Sequence, residues 1–185
     1  MTSISPTQAQ LFDGYDSMFR EALAGAERYG EYGMGQSALA VARTTRAQVQ
    51  AVDTALEWRD RVWAELDPAA QVRTTLLHVD LGPVGNWGFP KSYEQREHIP
   101  AYLAGPWQDG FDPQLVLVDG RFRVACFLTC LLNAKPGTRI LFDDYTERGY
   151  YHIVETLLAP TRVTERQALF NVPSGLDEDA IFGLL

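Results

Sequence analysis

Hydrophobic residues gather in short, nearly continuous runs, and each run ends at an acidic residue. The clearest are "VQAVD" (49–53), "TTLLHVD" (74–80), "QLVLVDG" (114–120) and "TRILFDDY" (138–145). Strands that are buried on both faces show continuous apolar runs, whereas strands with one solvated face alternate apolar and polar residues. The four segments are therefore predicted to be central strands of a largely parallel sheet.

Between these runs, apolar residues recur at the three- to four-residue spacing that is typical of helices. Predicted helices cover residues 6–24, 36–45, 55–66, 122–134 and 147–159. The segment "TRVTERQALFNVP" (161–173) follows the last helix and fits two short strands with a tight connection. The chain thus alternates strands and helices as far as this C-terminal hairpin.

This alternation predicts a single α/β domain over residues 1–185, with a mostly parallel central sheet and helices on both faces. A length of 185 residues suits one domain. Residues 1–25 are expected to supply an N-terminal helix. Residues 81–113 are rich in glycine and proline, and they predict a long loop that either closes one sheet edge or forms a lid over a pocket.

Composition narrows the choice of partners and of cellular compartment. The net charge is −8, which argues against nucleic acid, because binding phosphates along a strand needs a basic face. No apolar run approaches the length of a membrane span, and the first residues lack the pattern of a signal peptide. Cys126 and Cys130 are predicted to be buried free thiols in a helix. We therefore expect a cytoplasmic protein that acts on a small molecule.

Acidic residues stand at the ends of the four predicted strands and at a fifth candidate strand end, Glu31–Gly35. They are Glu31, Asp53, Asp80, Asp119 and the pair Asp143 and Asp144. The carboxyl ends of parallel strands meet at one edge of a sheet, where open α/β folds bind their ligands. Crowded carboxylates raise one another's pKa, so we expect arginines, a cation or ligand hydroxyl and amino groups to offset them.

The glycines in "EYGMGQSA" (31–38) allow two interpretations. Gly33 and Gly35 either end a helix without any ligand or let the backbone approach a nucleotide. Asp53 lies 18 residues beyond Gly35, close to the spacing of about 20 between a glycine loop and an acid that binds ribose hydroxyls. This spacing favours the nucleotide.

From Glu27 to Pro173, the chain resembles the class I S-adenosylmethionine-dependent methyltransferases, which have a Rossmann-like fold. "EYGMGQSA" resembles their first motif, and "VQAVDTALEWRDRV" resembles the second. "LHVDLGPVGNWGFP", "LVLVDGRFRVACFL" and "ILFDDY" occupy the third to fifth positions, and they resemble a group of small bacterial methyltransferase-like proteins of unknown function.

The resemblance implies S-adenosylmethionine as cofactor and a role for each matching residue. Glu31, Gly33 and Gly35 would lie around the methionine and ribose part, and Asp53 would accept hydrogen bonds from the ribose diol. Asp80 would lie near the adenine amino group. Asp119 would lie beside the methyl-donor end.

Catalytic candidates follow the fourth and fifth strands. Asp119, Asp143 and Arg121 are predicted to act on the acceptor, with Arg121 suited to a substrate carboxylate or phosphate. Asp119, Asp143 and Asp144 alternatively bind Mg²⁺, or else cap helices and pair with Arg121 or Arg123. His152 is a candidate base, although a structural histidine is the commoner case.

Three functions remain open on the sequence alone. The first is a small-molecule methyltransferase, and the second is a non-catalytic binding or assembly protein of the same fold. The third, a dinucleotide oxidoreductase, is disfavoured because no third glycine follows Gly35 at the required position. The apolar end "AIFGLL" (180–185) predicts docking either on the protein's own core or on a neighbour in a homo-oligomer.

Overall fold

The computed structural model describes residues 10–185, which form a seven-stranded sheet with helices on both faces. The strands are β1 (Arg28–Tyr32), β2 (Gln48–Asp53), β3 (Thr74–His78), β4 (Leu115–Val118), β5 (Arg139–Phe142), β6 (Arg162–Val163) and β7 (Ala168–Asn171). The α-helices are α1 (Ser17–Leu23), α2 (Gln36–Thr44), α3 (Leu56–Glu65), α4 (Pro68–Gln71), α5 (Ile99–Ala104), α6 (Arg123–Asn133) and α7 (Glu178–Phe182). Short 3₁₀ helices cover Phe12–Gly14, Asn86–Gly88, Arg96–His98, Gly105–Gly110 and Gly149–Thr156.

The strand order is β3-β2-β1-β4-β5-β7-β6. β1 to β5 pair in parallel, β7 is antiparallel to β5, and β6 is antiparallel to β7. The predicted α/β fold, with its mostly parallel sheet and C-terminal antiparallel hairpin, is confirmed. From β1 the chain builds outward through β2 and β3, then returns to the other side of β1 as β4. The topological switch point therefore lies between β1 and β4, where ligands bind in such sheets.

Successive residues of the central strands enter two hydrophobic cores, one on each face of the sheet. In β4, Val116 and Val118 belong to one core, whereas Leu115 and Leu117 belong to the other. The first core contains residues of α5, α6 and α7, and the second contains residues of α1 to α4. This double burial explains why the strand sequences are apolar without alternation.

β1 occupies the centre of the sheet although its sequence, "RYGEY", is polar. Tyr29 and Tyr32 are fully buried, and hydrogen bonds satisfy their hydroxyls: Tyr29 donates to Glu31 over 2.8 Å, and Tyr32 donates to the carbonyl of Leu103 over 2.6 Å. Burying a polar group costs little when it is hydrogen-bonded, so a polar strand is stable at this position.

The predicted N-terminal helix over residues 6–24 is wrong in extent. Within the described part of that segment, a 3₁₀ turn at Phe12–Gly14 precedes α1, while residues 6–9 lie outside the described residues. Phe12, Asp13 and Gly14 all have positive φ, and such a conformation breaks a right-handed helix. Periodicity did not reveal the break, because the apolar spacing continues across it.

Two further segments differ from their predictions. Residues 149–156 form a 3₁₀ helix rather than an α-helix, and this geometry places Tyr151 and Val154 in one buried stripe, because residues three apart align in it. Residues 81–113 contain α5 and three 3₁₀ turns, so they are not an irregular loop throughout. Their glycines and prolines separate these short helices.

Both cysteines lie in the interior of α6 as free thiols, as predicted. None of the helices in residues 10–185 is long and apolar enough to cross a membrane. In the C-terminal segment, Ile181 is 1% exposed and belongs to the first core, so "AIFGLL" docks in part on the protein itself. The homo-oligomer stays a prediction.

Candidate functional site

A cavity of about 640 Å³ opens at the carboxyl ends of the central strands. Its walls come from the chain just after β1, β2, β4 and β5, from the N-terminal turn and from the hairpin. The lining residues that carry the argument are Glu31, Gly35, Asp53, Asp119, Arg121 and Arg123. The cavity thus lies at the topological switch point, and acids from four of the five candidate strand ends line it: Glu31, Asp53, Asp119 and Asp144.

The floor of the cavity depends on two glycines in close contact. Gly33 has a φ of +85°, and a Cβ added to it would lie 2.8 Å from the Cα of Gly120. A Cβ added to Gly120 would lie 2.1 Å from the hydroxyl oxygen of Tyr102. By contrast, a Cβ on Gly35 would meet nothing within 4 Å, so the space beside Gly35 is open. The turn after β1 therefore packs tightly below and leaves its upper backbone accessible to a ligand.

Asp53 ends β2 and supports that same turn. Its Oδ2 accepts a hydrogen bond from the backbone N–H of Met34 over 2.9 Å, and its Oδ1 accepts one from Ala55 over 2.7 Å. Burial raises the pKa of Asp53, while the backbone hydrogen bonds and the charge of Arg121 act in the opposite direction. Each carboxylate oxygen keeps a second lone pair that a ligand hydroxyl can use.

Glu31 lies at the base of the cavity and is 1% exposed. The hydroxyls of Ser37 and Tyr29 donate to its two oxygens over 2.5 and 2.8 Å. Burial raises the pKa of Glu31 well above its usual value, and the nearby charges of Asp119 and Asp53 raise it further. The crowding of strand-end carboxylates that the sequence predicts is therefore present for these three acids.

Beyond Asp119, carboxylates and guanidinium groups alternate in what we call the acid–arginine cluster. Its members are Asp119, Asp143, Asp144, Arg123, Arg148 and Arg166. Arg123 contacts Asp119 over 2.9 Å and Asp144 over 3.2 Å. Arg166 contacts Asp143 over 2.7 Å and Asp144 over 2.9 Å. The cluster thus contains three arginines against three acids.

Arg123 is the buried centre of the cluster, with its side chain 4% exposed. Besides its ion pairs, it donates to the backbone carbonyls of Gly120 over 3.0 Å and Asp143 over 2.6 Å. It therefore joins the loops that follow β4 and β5. These ion pairs and hydrogen bonds offset the free-energy cost of removing the Arg123 charge from water.

Asp119 is the cluster member with properties of a base. Burial raises its pKa from 3.8 to about 7, an effect that Arg123 opposes and that Asp143 and Asp144 reinforce. Its side chain is 31% exposed and lines the cavity. A carboxyl group that titrates near neutral pH can both accept and release a proton under physiological conditions.

Asp143 has a different environment, because its carboxylate is 0% exposed. Arg166 and Gln167 donate to it over 2.7 to 3.1 Å, and it is not part of the cavity wall. Burial leaves no surface of this side chain for a substrate. The prediction that Asp143 acts on the acceptor is corrected accordingly: in this fold Asp143 anchors Arg166.

The carboxylates of Asp119, Asp143 and Asp144 lie within 4.8 Å of one another, a spacing that suits a metal ion. However, the guanidinium groups of Arg123, Arg148 and Arg166 already contact these oxygens. A magnesium ion would have to displace arginines whose positive charges already balance the acids. The donor set therefore does not fit Mg²⁺, and the predicted metal alternative receives no support.

Arg121 lines the cavity on the side of Asp53. Its guanidinium carbon lies 5.9 Å from the ring centroid of Phe89, and its backbone N–H donates to the hydroxyl of Tyr102 over 3.0 Å. Within residues 10–185, its guanidinium forms no ion pair or hydrogen bond, and its Nε is buried without a partner. The sequence left open whether Arg121 or Arg123 pairs with the acids of the same chain. In the structure, Arg123 forms these ion pairs.

Two predicted residues lie away from the cavity wall. Asp80 is exposed, and its Oδ1 accepts a hydrogen bond from the backbone N–H of Gly82 over 2.8 Å. β3 ends at His78, so Asp80 already belongs to the following turn. His152 stacks on Tyr145 with 4.6 Å between ring centroids, and its Nε2 lies 3.2 Å from the carbonyl of Tyr145. These contacts describe a structural histidine.

The structure adds residues that the sequence did not indicate. Arg148, Arg166 and the N-terminal turn at Phe12–Gly14 all border the cavity. Arg166 contacts Asp13 over 2.8 Å although 153 positions separate them. The signal available in the sequence was the excess of acids at strand ends, which requires compensating cations without saying where in the chain they lie.

Comparison with known proteins agrees with this geometry. No protein-family model and no curated protein matches the chain. A solved methyltransferase-like protein from Silicibacter pomeroyi DSS-3 is 33% identical, with a TM-score of 0.80 over 95% of this chain and 94% of that one. An RNA methyltransferase from Salinibacter ruber in complex with S-adenosyl-L-homocysteine (13% identical, TM-score 0.56, 95% of this chain and 98% of that one) and cofactor-bound Rv0187 from MTB (17%, 0.61, 92% and 84%) share the fold.

The similarity to the Silicibacter pomeroyi protein covers almost the full length of both chains, so it includes the strands, the turns between them and the cavity edge. Identity of one third over that length exceeds what a shared fold alone requires. The chain therefore belongs to the class I S-adenosylmethionine-dependent methyltransferase-like family.

Proposed function

We propose that this protein is a methyltransferase that binds S-adenosylmethionine in the cavity and transfers the methyl group to a small molecule. The observation that carries the proposal is the convergence of Glu31, Asp53 and Asp119 around the open backbone at Gly35. Membership of the family supports this interpretation, because the residues that match the family's motifs, apart from Asp80, line one cavity.

The turn after β1 suits the amino acid part of the cofactor. α2 begins at Gln36, and its N-cap, Gly35, provides no side chain to satisfy the free N–H groups of the first turn. Such a helix N-terminus attracts a carboxylate through those N–H groups and the helix dipole. Asp53 is then available to bind the ribose, because its unused lone pairs can accept hydrogen bonds from the two ribose hydroxyls.

The methyl-donor end would then face Asp119. When bound, the cofactor supplies an electrophilic methyl group on a positively charged sulfur, and the carboxylates at the base of the cavity stabilise that charge. Asp119 is the residue to take a proton from an acceptor hydroxyl or amine, because its pKa of about 7 places it near the working pH. Arg123 holds the carboxylate in position through their 2.9 Å contact.

Binding is tested by calorimetric titration with S-adenosylmethionine and S-adenosylhomocysteine. We expect both to bind, and we expect Asp53→Ala to weaken binding by about tenfold or more, because hydrogen bonds to a charged group are lost. Asp80→Ala is the matched control, an acid of the turn after β3 that lies outside the cavity wall, and should bind as the unaltered protein does. Absence of heat at millimolar ligand would contradict the proposal.

Transfer is tested with methyl-labelled cofactor and a panel of small hydroxyl- and amine-bearing acceptors. Asp119→Asn keeps the size of the side chain and removes the base, so it should retain the cofactor while turnover falls by about a hundredfold. A variant that loses both properties together would instead assign Asp119 to binding alone.

A non-catalytic binding protein of the same fold is the second candidate. It is favoured by the ion pairs of Arg123, Arg148 and Arg166 with carboxylates. Asp119, the proposed base, is itself one of the paired acids, because it contacts Arg123. This candidate predicts cofactor binding without transfer to any acceptor of the panel.

A further inference from the structure

Four arginines line the cavity, and they divide into two groups. Arg123, Arg148 and Arg166 each contact at least one carboxylate of the acid–arginine cluster. Arg121 has no ion pair or side-chain hydrogen bond within residues 10–185, and its Nε is buried without a partner. An unsatisfied charged donor in a cavity wall is costly unless a ligand completes it. This contrast indicates that Arg121 serves a bound molecule rather than the fold.

Arg121 lies close to the acid proposed to bind ribose. Both residues line the cavity, and the positive charge of Arg121 opposes the rise that burial causes in the pKa of Asp53. The 3₁₀ turn at Asn86–Gly88 packs against the same place, because a Cβ added to Gly88 would lie 3.4 Å from Oδ1 of Asp53. Thr54 fixes this turn by donating to the carbonyl of Gly88 over 2.7 Å. The guanidinium is therefore next to the nucleoside end of the cavity.

Aromatic rings lie beside Arg121 and in the cavity wall. Phe89 lies 5.9 Å from the guanidinium carbon of Arg121, while Trp58 and Trp87 line the cavity. Trp87 is 78% exposed and has a φ of +58°, a conformation that is rare for a bulky residue. Exposed aromatic side chains beside a guanidinium offer stacking surfaces to a flat ring such as a nucleobase.

The acid that the family resemblance implies for the adenine amino group lies elsewhere. Asp80 is exposed and outside the cavity wall, and its Oδ1 is engaged with the N–H of Gly82. An amino group needs a hydrogen-bond acceptor, and Arg121 has none to offer, because a guanidinium carries donors only. A base bound beside Arg121 would therefore meet a donor where the resemblance implies an acceptor.

We propose that Arg121 reads the base of the bound nucleoside by donating hydrogen bonds to its ring-nitrogen and oxygen acceptors. This inference rests on the proposed cofactor site and adds a specificity that the family resemblance does not imply. Adenine presents acceptors at its ring nitrogens, and the 6-oxo base hypoxanthine has an acceptor at its oxygen in place of the amino donor, keeps the acceptors N3 and N7, and carries a donor at N1. A donor-only residue tolerates the 6-oxo base, whereas an acid that binds the amino group rejects it.

The experiment is calorimetric titration of the full chain with two ligands: S-adenosylhomocysteine and its 6-oxo analogue, S-inosylhomocysteine. The variants are Arg121→Met, which removes the donors, and Arg121→Glu, which replaces them with an acceptor. Arg46→Met is the matched control, since Arg46 is exposed and outside the cavity wall. Thermal unfolding of each variant shows whether it is folded. The ratio of the two affinities is the deciding measurement, because a purely structural defect weakens both ligands alike.

We expect the unaltered protein to bind the two ligands within about tenfold of each other, which is the scale of one well-placed base contact. Arg121→Met should weaken both by about tenfold, and Arg121→Glu should shift the ratio towards the amino ligand by about tenfold. If S-adenosylhomocysteine binds but the ratio is the same in all variants, the role of Arg121 is refuted while the cofactor site stands. If the unaltered protein binds neither ligand, the cofactor site and this inference fail together.

Discussion

The charged residues at the two ends of the cavity have different partners. At the Asp119 end, the acid–arginine cluster pairs every arginine with a carboxylate of the same chain. At the Asp53 end, the acid is held by backbone N–H groups of Met34 and Ala55, and Arg121 has no ion pair within the described residues. One end is thus complete without a ligand, and the other is not.

This difference separates residues that maintain the fold from residues that serve a ligand. Arg123 connects the loops after β4 and β5 and is buried, so its loss should damage the protein itself. Arg121 leaves its donors unused by the protein, so its loss should damage binding. Proximity in sequence hides the distinction, because the two arginines are only two positions apart.

The largest expected effect comes from substituting those two arginines in turn. Arg123→Met should lower the free energy of unfolding by about 3–5 kcal/mol, because it removes the ion pair of Asp119 and the buried hydrogen bonds that join the loops after β4 and β5. Arg121→Met should change it by less than about 1 kcal/mol, since no ion pair is lost. Urea denaturation measures both, and equal losses would erase the distinction between the two ends.

A second pair of substitutions tests the floor that joins the ends. Gly33→Ala should cost roughly 2–4 kcal/mol, because the residue has positive φ and the added methyl would collide with Gly120. Gly35→Ala is the matched control, with extended backbone and open space around the added methyl, and should stay within about 0.5 kcal/mol. Thermal unfolding of both would show whether the close backbone contact exists.

The pH dependence of stability tests the Asp119 end. The folded-state pKa of Asp119 is about 7, above its usual value of 3.8, so between these values the folded protein binds more protons than the unfolded chain. This residue's contribution is fully present below pH 4 and is lost as the pH rises towards 7. Asp119→Asn should flatten the stability profile in this window, and an unchanged slope would show that other groups control it.

The smallest expected effect is at the cavity rim. Asp13 contacts Arg166 over 2.8 Å, but its side chain is 86% exposed. Exposed ion pairs contribute little, so Asp13→Asn should lower the free energy of unfolding by no more than about 0.5 kcal/mol, and added salt should remove the difference. A larger, salt-resistant loss would indicate that the N-terminal turn closes the cavity more firmly than its exposure implies.

Apolar runs and turn residues were enough to predict most of the architecture. Leu115–Val118 and residues 126–131 are buried throughout, so their apolar patterns are unambiguous. β1 and Gly149–Thr156 were harder, because hydrogen bonds of Tyr29 and Tyr32 stabilise a polar strand, and tertiary packing selects the 3₁₀ form. Local sequence patterns do not show which distant residues will form these hydrogen bonds and packing contacts.

By itself, the sequence determined the order of strands and helices and the gathering of acids at one sheet edge, since these follow from periodicity and from parallel strand direction. Tertiary structure alone decided which acid meets which arginine. Arg166 reaches Asp143 from a hairpin, Asp80 lies outside the cavity wall, and Arg121 forms no ion pair within residues 10–185. Charge interactions depend on distance and burial in three dimensions, and neither quantity can be read from spacing along the chain.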